Sequence, residues 1–154
     1  MRVLSGAPLE DASIALRRAA EEIATRSGVH IRFDTTGSYD LCPDAIASLS
    51  RIVREACSNA VRHGQAKQIV VRTEAQNGGC LRVSVSDDGV GFDSGTVAGN
   101  GGFGLRSMHE RALALGGDLK LTSTFGEGTT VEVVVPLTPV GSDGHRVGQA
   151  ATQA

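Results

Sequence analysis

The sequence predicts an α/β protein with three helices and five strands, and two observations carry that prediction. Three stretches repeat their apolar residues at intervals of three and four, and five shorter ones alternate with period two. Glycines and prolines punctuate the junctions between them. At 154 residues the chain suffices for one domain with a proper core, not comfortably for two. A net charge of -2 gives no electrostatic case for nucleic acid, and 3% aromatics with no Trp removes the stacking platforms that single-strand binders use. No apolar run approaches a bilayer span, and the opening Met-Arg-Val-Leu-Ser-Gly-Ala-Pro is too short for a signal peptide. Cys42, Cys57 and Cys80 are odd in number and show no metal spacing. They read as reduced thiols of a cytoplasmic protein, with Cys57 a small core filler.

Residues 1–8 are expected to be an incoming linker. From Leu9 to about Ser27, Leu9, Ala12, Leu16, Ala19, Ala20 and Ile23 recur at helical spacing, and Gly28 ends the run. Val29 to Thr35 alternates Val29, Ile31 and Phe33 against His30, Arg32 and Asp34, a short strand with His30 solvated. Pro43 suits the first turn of a second helix that reaches about His63, with Gly64 as its stop. Its core stripe reads Ile46, Leu49, Val53, Ala56 and Ala60, with Ile52 and Cys57 at the margins. Glu55, Asn59 and Arg62 gather on the opposite side, and Glu55 and Asn59 are four apart, so their side chains meet. A solvent-facing polar stripe accounts for that pair. So does an oxygen site for a hard divalent ion, since Asn inside a helix is mildly unfavourable.

Lys67 to Glu74 reads as a strand, and Gln76-Asn77-Gly78-Gly79 as a hairpin turn into the next, Leu81 to Asp87. There Leu81, Val83 and Val85 share one face, and one more step of the alternation puts Asp87 on it too. A carboxylate aimed at a core is costly unless something pairs with it. Gly89 and Gly91 follow, allowing a sharp bend or a close ligand. The same residues fit an apolar pocket with one acceptor at its mouth, suited to an adenine amino group, or a hairpin with an Asp-Gly turn. Beyond a polar loop, Phe103 or Gly104 opens a third helix, Leu105 to Leu115, closed by Gly116-Gly117. Leu119, Leu121 and Ser123 alternate; Phe125 to Gly128 turns; Thr129, Val131, Val133 and Val135 share one face up to Pro136. Residues 138–154 have the composition of a disordered tail.

The loop Gly99-Asn-Gly-Gly-Phe-Gly104 fits GxGxxG letter for letter, but the dinucleotide fingerprint needs a hydrophobic strand before it, and Thr96-Val97-Ala98 is not one. What survives is a glycine loop feeding a helix start, where backbone N–H groups and the helix dipole favour phosphate. Taken together, Arg54-Glu55-Ala-Cys-Ser-Asn59-Ala-Val-Arg62-His63, Asp87-Asp-Gly89-Val-Gly91, Gly102-Phe-Gly104-Leu105 and Gly126-Glu-Gly128-Thr129 resemble, in order, the N box, the G1 box, the G2 box and the last glycine-threonine motif of one family. That family is the ATP-binding catalytic domain of two-component sensor histidine kinases, within the ATPase superfamily shared with gyrase B, Hsp90 and MutL. The resemblance covers about Leu9 to Leu137. Glu55, Arg62-His63 and Leu105-Arg-Ser-Met108-His-Glu-Arg111, with a short stretch between Gly91 and Gly102, are similar to the branch whose response regulators often carry a helix-turn-helix domain. There is no recognisable F box.

The resemblance implies a Bergerat-type two-layer sandwich, a mixed five-stranded sheet covered on one face by three helices, formed by residues 9–137. It implies that Asp87 accepts from the adenine amino group, directly and through a water shared with Thr129. Asn59 would coordinate Mg²⁺ bridging the phosphates, with Glu55 holding a magnesium-bound water or polarising a nucleophile. Arg62 or His63 would touch phosphate oxygens, with helical phase favouring Arg62. Gly102, Gly104 and Leu105 would form the lid's hinge and the phosphate-facing helix start. A histidine kinase also needs a phosphoacceptor His on a dimerising helical hairpin, and residues 1–29 contain no His. The expectation is a domain of a longer kinase that binds Mg-ATP and donates the γ-phosphate to that partner domain, serving a response regulator indirectly, without membrane contact of its own. A stand-alone serine kinase of the anti-sigma-factor type, a non-catalytic ATP-sensing module and a gyrase- or MutL-like ATPase are the alternatives.

Overall fold

The computed structural model describes residues 11–92 and 104–137. The linker, the tail, Gly102 and the rest of the loop before Gly104 lie outside the described residues.

The first helix, α1 (Ala12–Ser27), starts at Ala12 rather than Leu9 because Asp11 is its cap. Asp11 is extended, and its Oδ1 accepts the Ser13 N–H at 2.8 Å and the Ser13 hydroxyl at 2.7 Å. Gly28 closes it in the left-handed region, its N–H donating to the Ala24 carbonyl. Strand β1 (His30–Thr36) leads to α2 (Pro43–Arg62), which has Pro43 in its first turn as expected. Then come β2 (Gln68–Gln76), β3 (Cys80–Asp87), α3 (Leu105–Ala114), β4 (Asp118–Ser123) and β5 (Thr129–Pro136).

The sheet runs β1-β2-β3-β5-β4. Only β1 and β2 are parallel, joined by α2 as the crossover that a parallel pair requires; the remaining pairs are antiparallel. Inward positions are apolar and shut: Ile69 and Val71 on β2, Leu81, Val83 and Val85 on β3, Val131, Val133 and Val135 on β5. The three helices among the described residues pack on that face, and their buried residues join one core with it. The other face carries charges: Arg82 pairs with Glu132 at 3.0 Å and with Glu74 at 3.6 Å across neighbouring strands. Such half-exposed pairs set register more than stability. Thr73 sits on the core side with its hydroxyl satisfied by Thr35 Oγ1 at 2.5 Å and by the Tyr39 hydroxyl at 2.9 Å.

On α2 the core stripe is broader than its spacing implied. Ile52 and Cys57 are shut in (2% and 0% exposed), and Ala45 is buried, whereas Ile46 is only partly covered. The helix lies between α1 on one flank and α3 on the other while resting on β2 and β3, so residues at the edges of a single stripe also meet a neighbour. Glu55 and Asn59, expected on the side opposite the core, are half-buried beside α3 rather than facing bulk water.

Leu49 is fully buried at the centre of that packing. Leu49→Ala should destabilise the protein by about 2–5 kcal/mol, read as a lower urea midpoint with an unchanged slope; a midpoint equal to the parent's would contradict the packing described.

Candidate functional site

The end of β3 and the turn after it build the site. Asp87 is the last residue of the strand, and the period-two alternation does carry its side chain to the core-facing side, where it is half-buried. The chain then makes no hairpin, for β3 is already paired on both sides, with β2 and β5. Gly89 passes so close to α2's end that a Cβ there would lie 2.5 Å from the Gly64 carbonyl oxygen and 2.9 Å from Asp87 Oδ1. At Gly91 a Cβ would lie 2.2 Å from the Thr124 carbonyl oxygen. Both glycines are therefore required by close backbone approach.

Two backbone N–H groups hold the Asp87 carboxylate: Gly89, donating to Oδ1 at 2.7 Å, and Thr129 at the start of β5. Burial nevertheless prevails and raises the Asp87 pKa above its ordinary 3.8, with the charge on Asp88 adding to the rise. Beneath it, burial first and the Asp87 charge second push the Cys57 thiol up to about 12, so that sulfur is inert filler. Asp88 is the opposite case. Exposed, it accepts the Gln68 N–H at 3.0 Å and the Lys67 N–H at 2.8 Å, which holds its pKa below the usual value and ties the turn to the start of β2.

Asp87 opens into a pocket that encloses about 440 Å³ of open space, mouth included. Its walls are apolar, with Ala56 and Ala60 of α2, Val85, Leu105, Leu121 and Val131, and Asn59, His63 and Thr129 supply polar atoms. Thr129 Oγ1 is 2.7 Å from Ser123 Oγ, and Ser123 Oγ in turn accepts the Phe92 N–H at 2.9 Å. Of the two residues expected near phosphate, His63 lines the pocket, whereas Arg62 lies beside Ser58 (3.0 Å) and Glu55 (Nη2 to Oε2, 4.0 Å). Gly104, at φ 73, caps α3, and a Cβ on it would lie 2.4 Å from Glu55 Oε2. The Glu55 carboxylate thus rests directly against the backbone where α3 begins.

The structure brings Asn59, His63, Asp87, Gly91, Leu105 and Thr129 around one pocket, with Gly89 behind Asp87 and Glu55 and Gly104 in contact beside it. Gly102 lies outside the described residues. Two contributors escaped sequence reasoning. Asp88 is the clamp on β2, and its only signal was an acid directly after the inward one. Ser123 is buried between Phe92, Gly128 and Thr129, which the last step of the β4 alternation hinted at.

A half-buried carboxylate in an apolar slot, on an open mixed sheet with helices over one face, fits a nucleotide-binding ATPase domain. The chain belongs to the family described as histidine kinase-, DNA gyrase B- and HSP90-like ATPase, whose model matches residues 44–139. It is 35% identical over 125 residues to the sensor histidine kinase MctS of Rhizobium johnstonii, covering 79% of this chain and 27% of that one. It is 43% identical over 91 residues to the sensor histidine kinase LiaS of Bacillus subtilis, covering 59% of this chain and 25% of LiaS. Among solved structures it superposes with a TM-score of 0.71 on the blue-light activated histidine kinase EL346 of Erythrobacter litoralis, at 26% identity over 82% of this chain and 42% of that chain. The chain therefore spans about a quarter of the length of those two curated relatives. Among the described residues, no helix is long and apolar enough to cross a membrane.

The Asp87 and Asp88 shifts act on opposite sides of 3.8. A raised native pKa means the folded state holds the proton more tightly. Its stabilisation is complete below 3.8 and is lost as pH rises through the native value. The depressed pKa of Asp88 gives stability that is present above 3.8 and lost on acidification below it. Asp87→Asn should abolish the decline above 3.8 and leave the acid limb untouched, measured by urea unfolding across pH; a variant with the parent's full profile would place the titration elsewhere.

Proposed function

We propose that this chain is the catalytic domain of a sensor histidine kinase, which binds Mg-ATP and donates its γ-phosphate to a histidine on a dimerisation domain outside this chain. The observation that carries the reading is the Asp87 carboxylate, half-buried in the apolar pocket with two backbone N–H groups holding it. An adenine ring suits apolar walls, and its amino group suits a fixed anionic acceptor. Family membership and the relatives named as sensor histidine kinases favour this reading over a serine kinase of the anti-sigma-factor type.

In this reading Asp87 accepts from the adenine amino group, and Thr129, whose N–H fixes that carboxylate, stands beside it for a shared water. The phosphates run toward α3, where Gly104 and Leu105 form the helix start that faces them, and Gly102 is assigned to the phosphates by its motif alone. His63 from the pocket wall and Arg62 from beside Glu55 supply cationic or hydrogen-bonding contact. Asn59 and Glu55, both oxygen donors and one helical turn apart, are a donor set that fits a hard divalent ion taking its remaining ligands from phosphate and water. Magnesium held there would neutralise phosphate charge. Phosphoryl transfer depends on positioning and charge stabilisation, so with no acceptor aligned the chain alone should not autophosphorylate. The reaction serves a response regulator indirectly and takes place in the cytoplasm, with no nucleic-acid or membrane contact by this domain.

Asp87→Ala should cut ATP affinity by about 10- to 100-fold, the loss of a charge-assisted hydrogen bond, in calorimetric titration; unchanged affinity would remove the basis of the pocket assignment. Asn59→Ala should erase the Mg²⁺-dependent gain in affinity and spare metal-free nucleotide, and an equal loss with and without metal would count against the metal role. Incubation with labelled ATP and a separately expressed histidine-bearing hairpin of the parent kinase should label the hairpin. Persistent absence of label where the full-length kinase works would overturn the kinase assignment.

A further inference from the structure

Ser123 is the last residue of β4, and it is buried although its side chain is polar. It does not line the nucleotide pocket, yet its hydroxyl bonds only to segments that shape that pocket. Its oxygen accepts the Phe92 N–H at 2.9 Å, and it lies 2.7 Å from Thr129 Oγ1 and 3.2 Å from the Gly128 carbonyl oxygen. Phe92, which follows the turn after β3, and Thr129, which opens β5, are both pocket walls. Ser123 and Thr129 are register partners across the β4–β5 pair, so their side chains share a face. A buried hydroxyl costs free energy unless its bonds are made. Here they are made, and they tie two walls of the pocket to the edge strand behind them.

We infer that Ser123 is a positioning residue for base recognition: it holds the Thr129 hydroxyl so that its hydrogen is free for the acceptor nitrogen of the purine edge. The inference rests on the nucleotide reading above, in which Asp87 takes the adenine amino group. Beside that amino donor the ring presents an acceptor, N1, which needs a donor from the same wall. The Thr129 N–H is already spent on the Asp87 carboxylate, so the Thr129 hydroxyl is what remains. A hydroxyl has one hydrogen and two lone pairs. With the Phe92 N–H on one lone pair, Ser123 still has its hydrogen to give. Given to Thr129 across the 2.7 Å contact, it leaves the Thr129 hydrogen for the nucleotide, directly or through one water. Given instead to the Gly128 carbonyl, it draws the Thr129 hydrogen back to Ser123, and Thr129 meets the pocket with lone pairs only. Both arrangements satisfy Ser123, and a ring acceptor selects the first. The resulting chain from Phe92 through Ser123 and Thr129 to the base donates in one direction, so its bonds polarise one another.

The test combines Ser123→Ala with Thr129→Val, which removes the hydroxyl and keeps the N–H on Asp87. ATP and 1-deaza-ATP, whose ring carries a C–H in place of N1, are titrated into each chain by calorimetry. Ser123→Ala should weaken ATP about 3- to 10-fold, the loss of one hydrogen bond, and leave affinity for 1-deaza-ATP close to the parent's. In the Thr129→Val background the same substitution should cost no further ATP affinity, a coupling that the double-mutant cycle reads directly. Ser123→Cys, close in shape and weak as a donor, should lose ATP affinity in the same way. It decides the matter where urea unfolding shows that the alanine variant does not fold. ATP affinity at the parent's value in both Ser123 variants would overturn the inference. So would an equal loss for the two nucleotides, or a loss that adds to that of Thr129→Val, since either would mark packing alone. A parent chain that binds no ATP would sink the nucleotide reading and this inference together, whereas ATP binding indifferent to Ser123 would sink the inference and spare the reading.

Discussion

A carboxylate half-sunk among aliphatic side chains has to be held by something, and at Asp87 the holders are the N–H groups of Gly89 and Thr129. Those two donors come from opposite sides of the strand end: one from the turn that follows β3, the other from the first residue of β5. Much of the local architecture serves to bring them there. Gly89 can reach Asp87 only because it lacks a side chain facing Gly64, and Thr129 arrives because β5 pairs with β3 in antiparallel register. The raised pKa records that two donors offset burial only in part. Under the function proposed above, that cost falls on the group that receives the nucleotide base.

The fold was legible in the sequence because its strands are half-buried and its helices amphipathic, so each element announces its inward face by period. The alternation through Leu81, Val83 and Val85 led to Asp87 without any structural knowledge, and Thr129, Val131, Val133 and Val135 gave β5 the same way. Where period was the whole argument it also misled. Ile46, Ile52 and Cys57 were ranked by distance from a single stripe, but α2 is flanked by α1 and α3 as well as lying on the sheet, and its buried arc is wider than one stripe. The start of α1 was read from Leu9, although Asp11 is a better cap than an interior residue.

The site was legible as a set of motifs and much less so as a set of contacts. Asn59, Asp87, Leu105 and Thr129 do gather around one pocket. What the sequence could not convey was which atoms do the holding: Thr129 reaches Asp87 through its backbone N–H while its hydroxyl lies against Ser123. Helical phase favoured Arg62 over His63, yet His63 is the one that lines the pocket, because the two are adjacent at the end of a helix, where phase degrades. Asp88, named in the sequence only as the second acid of Asp87-Asp-Gly89, is the tether between that strand's end and β2.

Gly104 opens α3 at φ 73, in the left-handed region where any residue bearing a side chain is strained, and its backbone lies against the Glu55 carboxylate. A residue other than glycine there would strain the entry to the helix and push that carboxylate, the free end of a flexible side chain, to a new position. The aim of the acid at 55 is thus tied to the shape of a turn that belongs to a different part of the sequence.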